Sequence, residues 1–264
     1  MPPTIHLYLD PGEWPTRLRR LLSSWWYLIH LGAVTLVMAL SPGTWRAANR
    51  AATARHIYTN TWQVLPWFTV LSTLVSLVLI RIVLITALSY GLSQYALEMM
   101  VRVLVLELIP LSAALFVALR SGLTFHSRAE QAADAEGLPG VDANQLRRDL
   151  VPQVIAGTFA VLSLAMVSSV IVLVLAYLNV YGVSPWGLEE YTRTVGRVFD
   201  PVVTVGFALK SILFGLAVAL IPSAAMLEAR VQRWGAASAV QPGAIRLLSV
   251  LVLIEAGSLA VKYI

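Results

Sequence analysis

The chain is 264 residues long, 58% hydrophobic and only 12% charged, with a formal net charge of +5 and no cysteine. Soluble domains carry about 25% charged residues, so water-soluble packing is excluded, and the missing thiols exclude thiol catalysis, disulfides and cysteine-ligated metals. The pI of about 9.7 does not point to nucleic acid, because the basic residues stand between apolar runs, where topology signals and lipid headgroup contacts belong.

In chain order, residues 1–13 carry Pro2, Pro3, Asp10 and Pro11 and lack an apolar core behind a basic region, so no cleavable signal peptide is expected. The first apolar stretch, residues 24–40, is preceded by Arg17, Arg19 and Arg20, opened by Trp25, Trp26 and Tyr27, and stopped by Ser41, Pro42 and Gly43. Aromatic residues and arginines favour the membrane interface, so an interfacial helix is expected there rather than a crossing. A basic segment with Arg46, Arg50 and Arg55 leads to a first span over about residues 62–89, interrupted by Arg81. A second span, about 99–119, contains Arg102, Glu107 and Pro110. The polar stretch 120–149 follows, with a short helix predicted over 127–136 and stopped by Gly137, Pro139 and Gly140. A third span covers about 153–178. A linker holding Pro185, Trp186 and an amphipathic piece over 189–199 precedes a fourth span, 202–220, with Lys210. The last span, 247–261, contains Glu255.

Residues 57–80 and 150–187 contain no Asp, Glu, Lys or Arg, and a bilayer needs roughly 20 apolar residues per helical crossing. These runs lack the period-two alternation of barrel strands, so the spans are helices. Arginine placement sets the orientation. With the N-terminus cytoplasmic, residues 1–58, 120–149 and 228–246 hold six, four and three Arg on one side, against Arg193 and Arg197 on the other. Five crossings follow, N-terminus in and C-terminus out.

A charged residue at the centre of a span costs about 2.5–3.5 kcal/mol on insertion scales, and such residues are usually paired or face a cavity. Glu107, Lys210 and Glu255 sit near the middles of their spans. They form an interhelical ion pair or line a polar cavity, and three charges cannot cancel in one pair. Arg81 and Arg102 lie nearer span ends, where a long side chain reaches the headgroups. Pro110 has no N–H for the Leu106 carbonyl, so the helix should open beside Glu107. The histidines His6, His30, His56 and His126 are scattered without ligand spacing, and no GxxxxGK[ST], GxSxG or HExxH motif occurs, so neither a metal, a cofactor nor enzymatic chemistry is expected.

Several segments in this order are similar to those of the MlaE permease family, the membrane subunit of ABC-type lipid transporters that work with MCE proteins. Leu106-Glu107-Leu108-Ile109-Pro110 followed by Ala113-Ala114-Leu115 resembles its RELGP…AALL segment, and Arg120-Ser121-Gly122 its GRAG turn. Glu130-Gln131, Val141-Asp142, Leu146-Arg147-Arg148, Val151-Pro152 and Ala156-Gly157 resemble its EQ…VDP…L…PR…AG run. Leu209-Lys210-Ser211 with Phe214-Gly215 resembles KS…FG, Glu255 stands at an acidic position of the last span, and Tyr90-Gly91 resembles an aromatic-Gly pair closing the first. The chain departs where the family arginine before the glutamate is Leu106 and its glycine is Ile109. Some six residues are missing between Gly122 and Glu130, and Asp200 stands ten positions before Lys210 rather than about seven.

The resemblance implies an all-α integral membrane fold: an N-terminal interfacial elbow helix within residues 1–58, then a five-span permease region over 59–264. That region has a cytoplasmic coupling helix in 120–149 and a short extracytoplasmic helix in 180–200. It further implies a dimeric permease in the bacterial inner membrane, moving phospholipid with an ABC ATPase and an MCE-domain partner. Lipid contacts fall on Glu107, Lys210, Glu255, Arg102, Tyr90 and Arg81, and ATPase coupling on Glu130, Gln131 and Arg120. In that mechanism Lys210 and the arginines attract a phosphate, while Glu107 and Glu255 hold those cations or meet a cationic headgroup. The rival expectation is a non-transporting scaffold that recruits partners through residues 120–149.

Overall fold

In hydrocarbon no water is at hand to bond backbone amides, so a chain this apolar satisfies them within helices. The computed structural model of the protein describes residues 14–41, 47–133, 150–231 and 236–263, and the regular structure among them is helical throughout. Helix α1 is Trp14–Leu40. Helix α2, Ala47–Ile57, runs through a π-helical turn at Tyr58–Trp62 into α3, Leu65–Ser89. Helix α4, Ser93–Met100, continues through a π-helical segment, Val101–Leu108, into α5, Ile109–Ala133. Helix α6 is Val151–Tyr181; a 3-10 turn at Pro185–Gly187 leads to α7, Leu188–Val198, and then come α8, Pro201–Val231, and α9, Ala236–Tyr263.

Five helical stretches are long and apolar enough to cross a membrane: Arg50–Ser89, Tyr95–Ser121, Val151–Tyr181, Pro201–Leu227 and Gly243–Val261. Their number and places agree with the spans expected from the apolar stretches of the sequence. The interfacial candidate contributes a shorter apolar piece, Trp25–Leu40. One expectation is corrected. The helix predicted over 127–136 is not separate: α5 runs unbroken from beside Glu107 to Ala133. Beyond Pro110 in its first turn the path holds no proline and a single glycine, Gly122, and leaving the hydrocarbon does not by itself end a helix. Residues 134–149 lie outside the described residues.

Helix α8 forms the centre, packed against α1, α5, α6 and α9. Small residues allow the closest approach, as expected where lipid supplies no hydrophobic drive and helices associate by contact. A Cβ at Gly215 would come within 2.5 Å of the Thr158 backbone on α6, so α6 and α8 meet only because that Cβ is absent. Phe214, Val218 and Ile221 bury the neighbouring surface of α8 together with Ala160, Val161 and Leu164 of α6. The outer helices are far less covered. Only 11% of the apolar window of Gly243–Val261 is buried, against 56% for Tyr95–Ser121, which leaves Leu248, Val252, Leu253 and Val261 of α9 exposed.

The chain reverses between α3 and α4 at Gly91, whose φ of 70° lies in the left-handed region that glycine enters without strain. Helix α7 is fastened by Tyr191, whose hydroxyl donates to the Leu173 carbonyl of α6 at 2.6 Å. Its ring packs edge-on to Tyr177 at 5.1 Å. Burial pushes the Tyr191 hydroxyl up to about 12, so it keeps its proton and remains a donor at physiological pH. The other face of α7 is hydrophilic, with Glu189 bonded to Arg193 at 3.1 Å in an exposed pair.

Candidate functional site

Three helices that are remote in sequence place their span-centre charges together. Lys210 comes from α8, Glu107 from the π-helical segment before α5, and Glu255 from α9. The Lys210 ammonium makes a short ion pair with Glu107 Oε2 and lies 2.8 Å from Glu255 Oε2. It also donates to the Leu106 carbonyl at 3.5 Å. Pro110, four residues further on, has no N–H to offer that carbonyl, so the lysine serves a backbone acceptor as well as two side chains. The ammonium thus bonds to Glu107 and the Leu106 carbonyl, while Glu255 Oε2 stands beside it as an ion-pair partner without a hydrogen bond of its own. The Phe214 ring stands 5.7 Å from the same nitrogen, within cation–π reach.

Burial separates the partners. The Lys210 side chain is 3% exposed, whereas those of Glu107 and Glu255 are 16% and 18% exposed. A lone ammonium so deep would shed its proton or unfold its surroundings; two carboxylates make the charged form tenable. Of the two readings of these charges, the interhelical ion pair is the one seen, with three members rather than two and a formal charge of −1 on the trio.

The other candidates lie elsewhere. Arg102 pairs with Glu98 at 2.8 Å, one turn back on the same helical run, and both are partly exposed. Glu98 was not among the residues expected to matter, although its spacing of four before an arginine is the usual sign of a helical ion pair. Arg81 is exposed on α3 and enters no ion pair among the described residues. Tyr90 is exposed at the end of α3. Neither arginine nor Tyr90 bonds to Lys210 or Glu255. Arg120 reaches from α5 to the turn before α3, donating to the Thr59 carbonyl at 3.1 Å and the Gln63 Oε1 at 3.4 Å. Glu130 and Gln131 lie near the end of α5, and their side chains fall outside the described residues. Two members of the cluster's surroundings escape a search for charges: the Leu106 carbonyl, for which Pro110 is the signal, and the Phe214 ring. Among the described residues no three His, Asp or Glu side chains are grouped as a metal site.

Five apolar spans wrapped around a buried Lys–Glu cluster define a multi-pass helical membrane protein with an intramembrane polar centre. The family model described as Permease MlaE matches residues 53–260, which is most of the chain and includes the whole cluster. The chain belongs to the MlaE permease family. No curated protein matches it. Family membership marks a membrane permease subunit of the ABC-transporter kind, a transport component rather than an enzyme.

Proposed function

We propose that this chain is the membrane subunit of a lipid-moving ABC transporter of the bacterial inner membrane, acting as a dimer with a separate cytoplasmic ATPase and an extracytoplasmic MCE-domain protein. The observation that carries the reading is the Glu107–Lys210–Glu255 cluster, held at mid-span between helices that otherwise offer hydrocarbon. The apolar walls of the first, second and last spans accept acyl chains, and the cluster meets the headgroup. The thinly covered face of α9, with Val252, Leu253 and the small residues Ala256 and Gly257 exposed, suits contact with a second copy.

The N-terminus lies on the cytoplasmic side with α1 as an elbow helix in the interface, residues 120–149 dock the ATPase, and α7 in the linker 180–200 faces the MCE partner. Helix α5 provides the mechanical link. At 1.5 Å per residue its 25 residues form a rod of about 37 Å, with Glu107 just ahead of one end and Glu130 and Gln131 near the other. ATP hydrolysed in the partner displaces the Glu130 end, and the rod carries that displacement to the cluster.

The test is lipid transfer from proteoliposomes that contain the chain with its ATPase and MCE partners. Lys210→Ala and Glu107→Ala are expected to abolish transfer while the complex still assembles. Full transfer by both variants would overturn the role of the cluster. Assembly lost on substitution of Glu130, with bound lipid unchanged and no transfer by the wild type, would establish a scaffold in place of a permease.

A further inference from the structure

The charge and geometry of the cluster define the headgroup it takes. Lys210 is the natural residue to grip a phosphate, yet its ammonium is already bonded to Glu107 and to the Leu106 carbonyl and ion-paired with Glu255 at 2.8 Å. It is also the least exposed member of the trio. What the cluster turns outward is carboxylate, since Glu107 and Glu255 keep 16% and 18% of their side-chain surface. A phosphate brought to this point would displace a carboxylate from the ammonium and add a second uncompensated negative charge in a setting of low dielectric.

Among the described residues, neither arginine of the neighbouring helices is in an ion pair with the trio. Arg102 is engaged with Glu98 at 2.8 Å, and Arg81 stands on the exposed face of α3. The residue beside Glu107 is Leu106, which is buried and uncharged. Phe214 of α8 adds an aromatic face next to the ammonium, which favours a cation and disfavours an anion.

The geometry points to a positively charged headgroup, an amine-bearing zwitterionic lipid rather than an anionic one, as the ligand class of the Glu107–Lys210–Glu255 cluster. This rests on the lipid-permease reading above. The headgroup ammonium would bond to the exposed carboxylate oxygens and bring the cluster to neutrality, with the lipid's own phosphate left on the side away from Lys210. A proton shared between the two carboxylates would supply the same compensating charge, and the experiment separates the two sources.

The purified full chain is placed in nanodiscs of equal parts phosphatidylethanolamine and phosphatidylglycerol, and the lipid retained after detergent extraction is counted by native mass spectrometry at several pH values. The wild type is expected to retain phosphatidylethanolamine about tenfold over its share in the disc, the scale of one charge-assisted hydrogen bond. Glu255→Gln and Glu107→Gln, each of which makes the cluster neutral without a ligand, should retain lipid but lose most of that selectivity. The wild-type ratio decides even where a variant folds poorly. Retained lipid that matches the disc, or is enriched in phosphatidylglycerol, overturns the inference and leaves the permease reading standing. Unselective retention that weakens as the pH rises identifies a proton as the balancing charge and also overturns it. No retained lipid at all overturns both readings together.

Discussion

The first two spans are each entered through a wide π-helical turn that stands ahead of a proline, and the two turns are completed in different ways. Tyr58–Trp62 precedes Pro66, and Val101–Leu108 precedes Pro110. A proline withholds an N–H and crowds the carbonyl four residues back, so the preceding turn loses a bond and opens. At the first turn the Val64 N–H folds back to the Thr61 carbonyl at 3.2 Å, and the Thr59 carbonyl accepts from Arg120 at 3.1 Å. At the second, the Leu106 carbonyl accepts from Lys210. In both a cation from another helix takes a carbonyl of the opened turn. Arg120 is only partly buried, has the neutral Gln63 amide as its second partner, and needs no acid beside it. Lys210 is deep among the spans and is met by two. The same backbone opening makes a joint near the span end and a charged site in the interior, because only the interior cation must bring its own counter-charges.

That contrast is broken most forcefully at Lys210. Lys210→Met keeps the apolar stem and removes the ammonium, leaving two carboxylates facing each other without a cation. Breaking a buried pair this way costs about 3–5 kcal/mol, which thermal unfolding in detergent reads as a large drop in midpoint. Adding Glu107→Gln and Glu255→Gln to the same chain should recover most of the loss, since no charge is then stranded. A single variant as stable as the wild type would mean that the cluster carries no more electrostatic weight than the Arg120 joint.

The spans and the cluster were legible in the sequence to different depths, for physical reasons. Apolar stretches of about bilayer length, two of them charge-free as in 150–187, mark the five crossings. The cost of a charge at mid-span picks out Glu107, Lys210 and Glu255 one at a time. Their meeting is another matter: Lys210 and Glu107 are 103 residues apart, and which faces of α5, α8 and α9 turn inward depends on packing such as the Gly215 contact. Arg81 and Arg102 show the limit from the other side, since position within a span does not reveal whether a side chain faces lipid or protein. The Glu98–Arg102 pair was readable from its spacing alone. The unbroken α5 was not, because polarity beyond Leu119 marks where hydrocarbon ends and carries no information on where the helix does.

Arg120 tests the outer joint, with a smaller effect. Arg120→Ala removes the donor to the Thr59 carbonyl at a place where water can substitute, so the loss of stability should be about 1 kcal/mol. The informative readout is hydrogen exchange at residues 58–64, which should quicken while residues 101–108 keep their protection. Equal acceleration at both turns would show that they open as one unit.

The smallest effect on stability, and the sharpest on mechanism, is expected at Pro110. Pro110→Ala restores an N–H that competes with Lys210 for the Leu106 carbonyl. Closing the turn to ordinary α spacing gains a backbone bond and costs Lys210 its backbone acceptor, so the two changes oppose each other and the net should stay within about 1 kcal/mol. Yet each residue of a tightened turn is rotated relative to its place in a wide one, and Glu107 would no longer be aimed at Lys210 as it is now. Lipid transfer should therefore fall in a protein that unfolds at nearly the wild-type temperature, with amide exchange across residues 101–108 slowed. If exchange there is unchanged and transfer is intact, the wide turn is set by the Lys210 cluster and not by the proline, and the parallel between the two turns reduces to a coincidence of sequence.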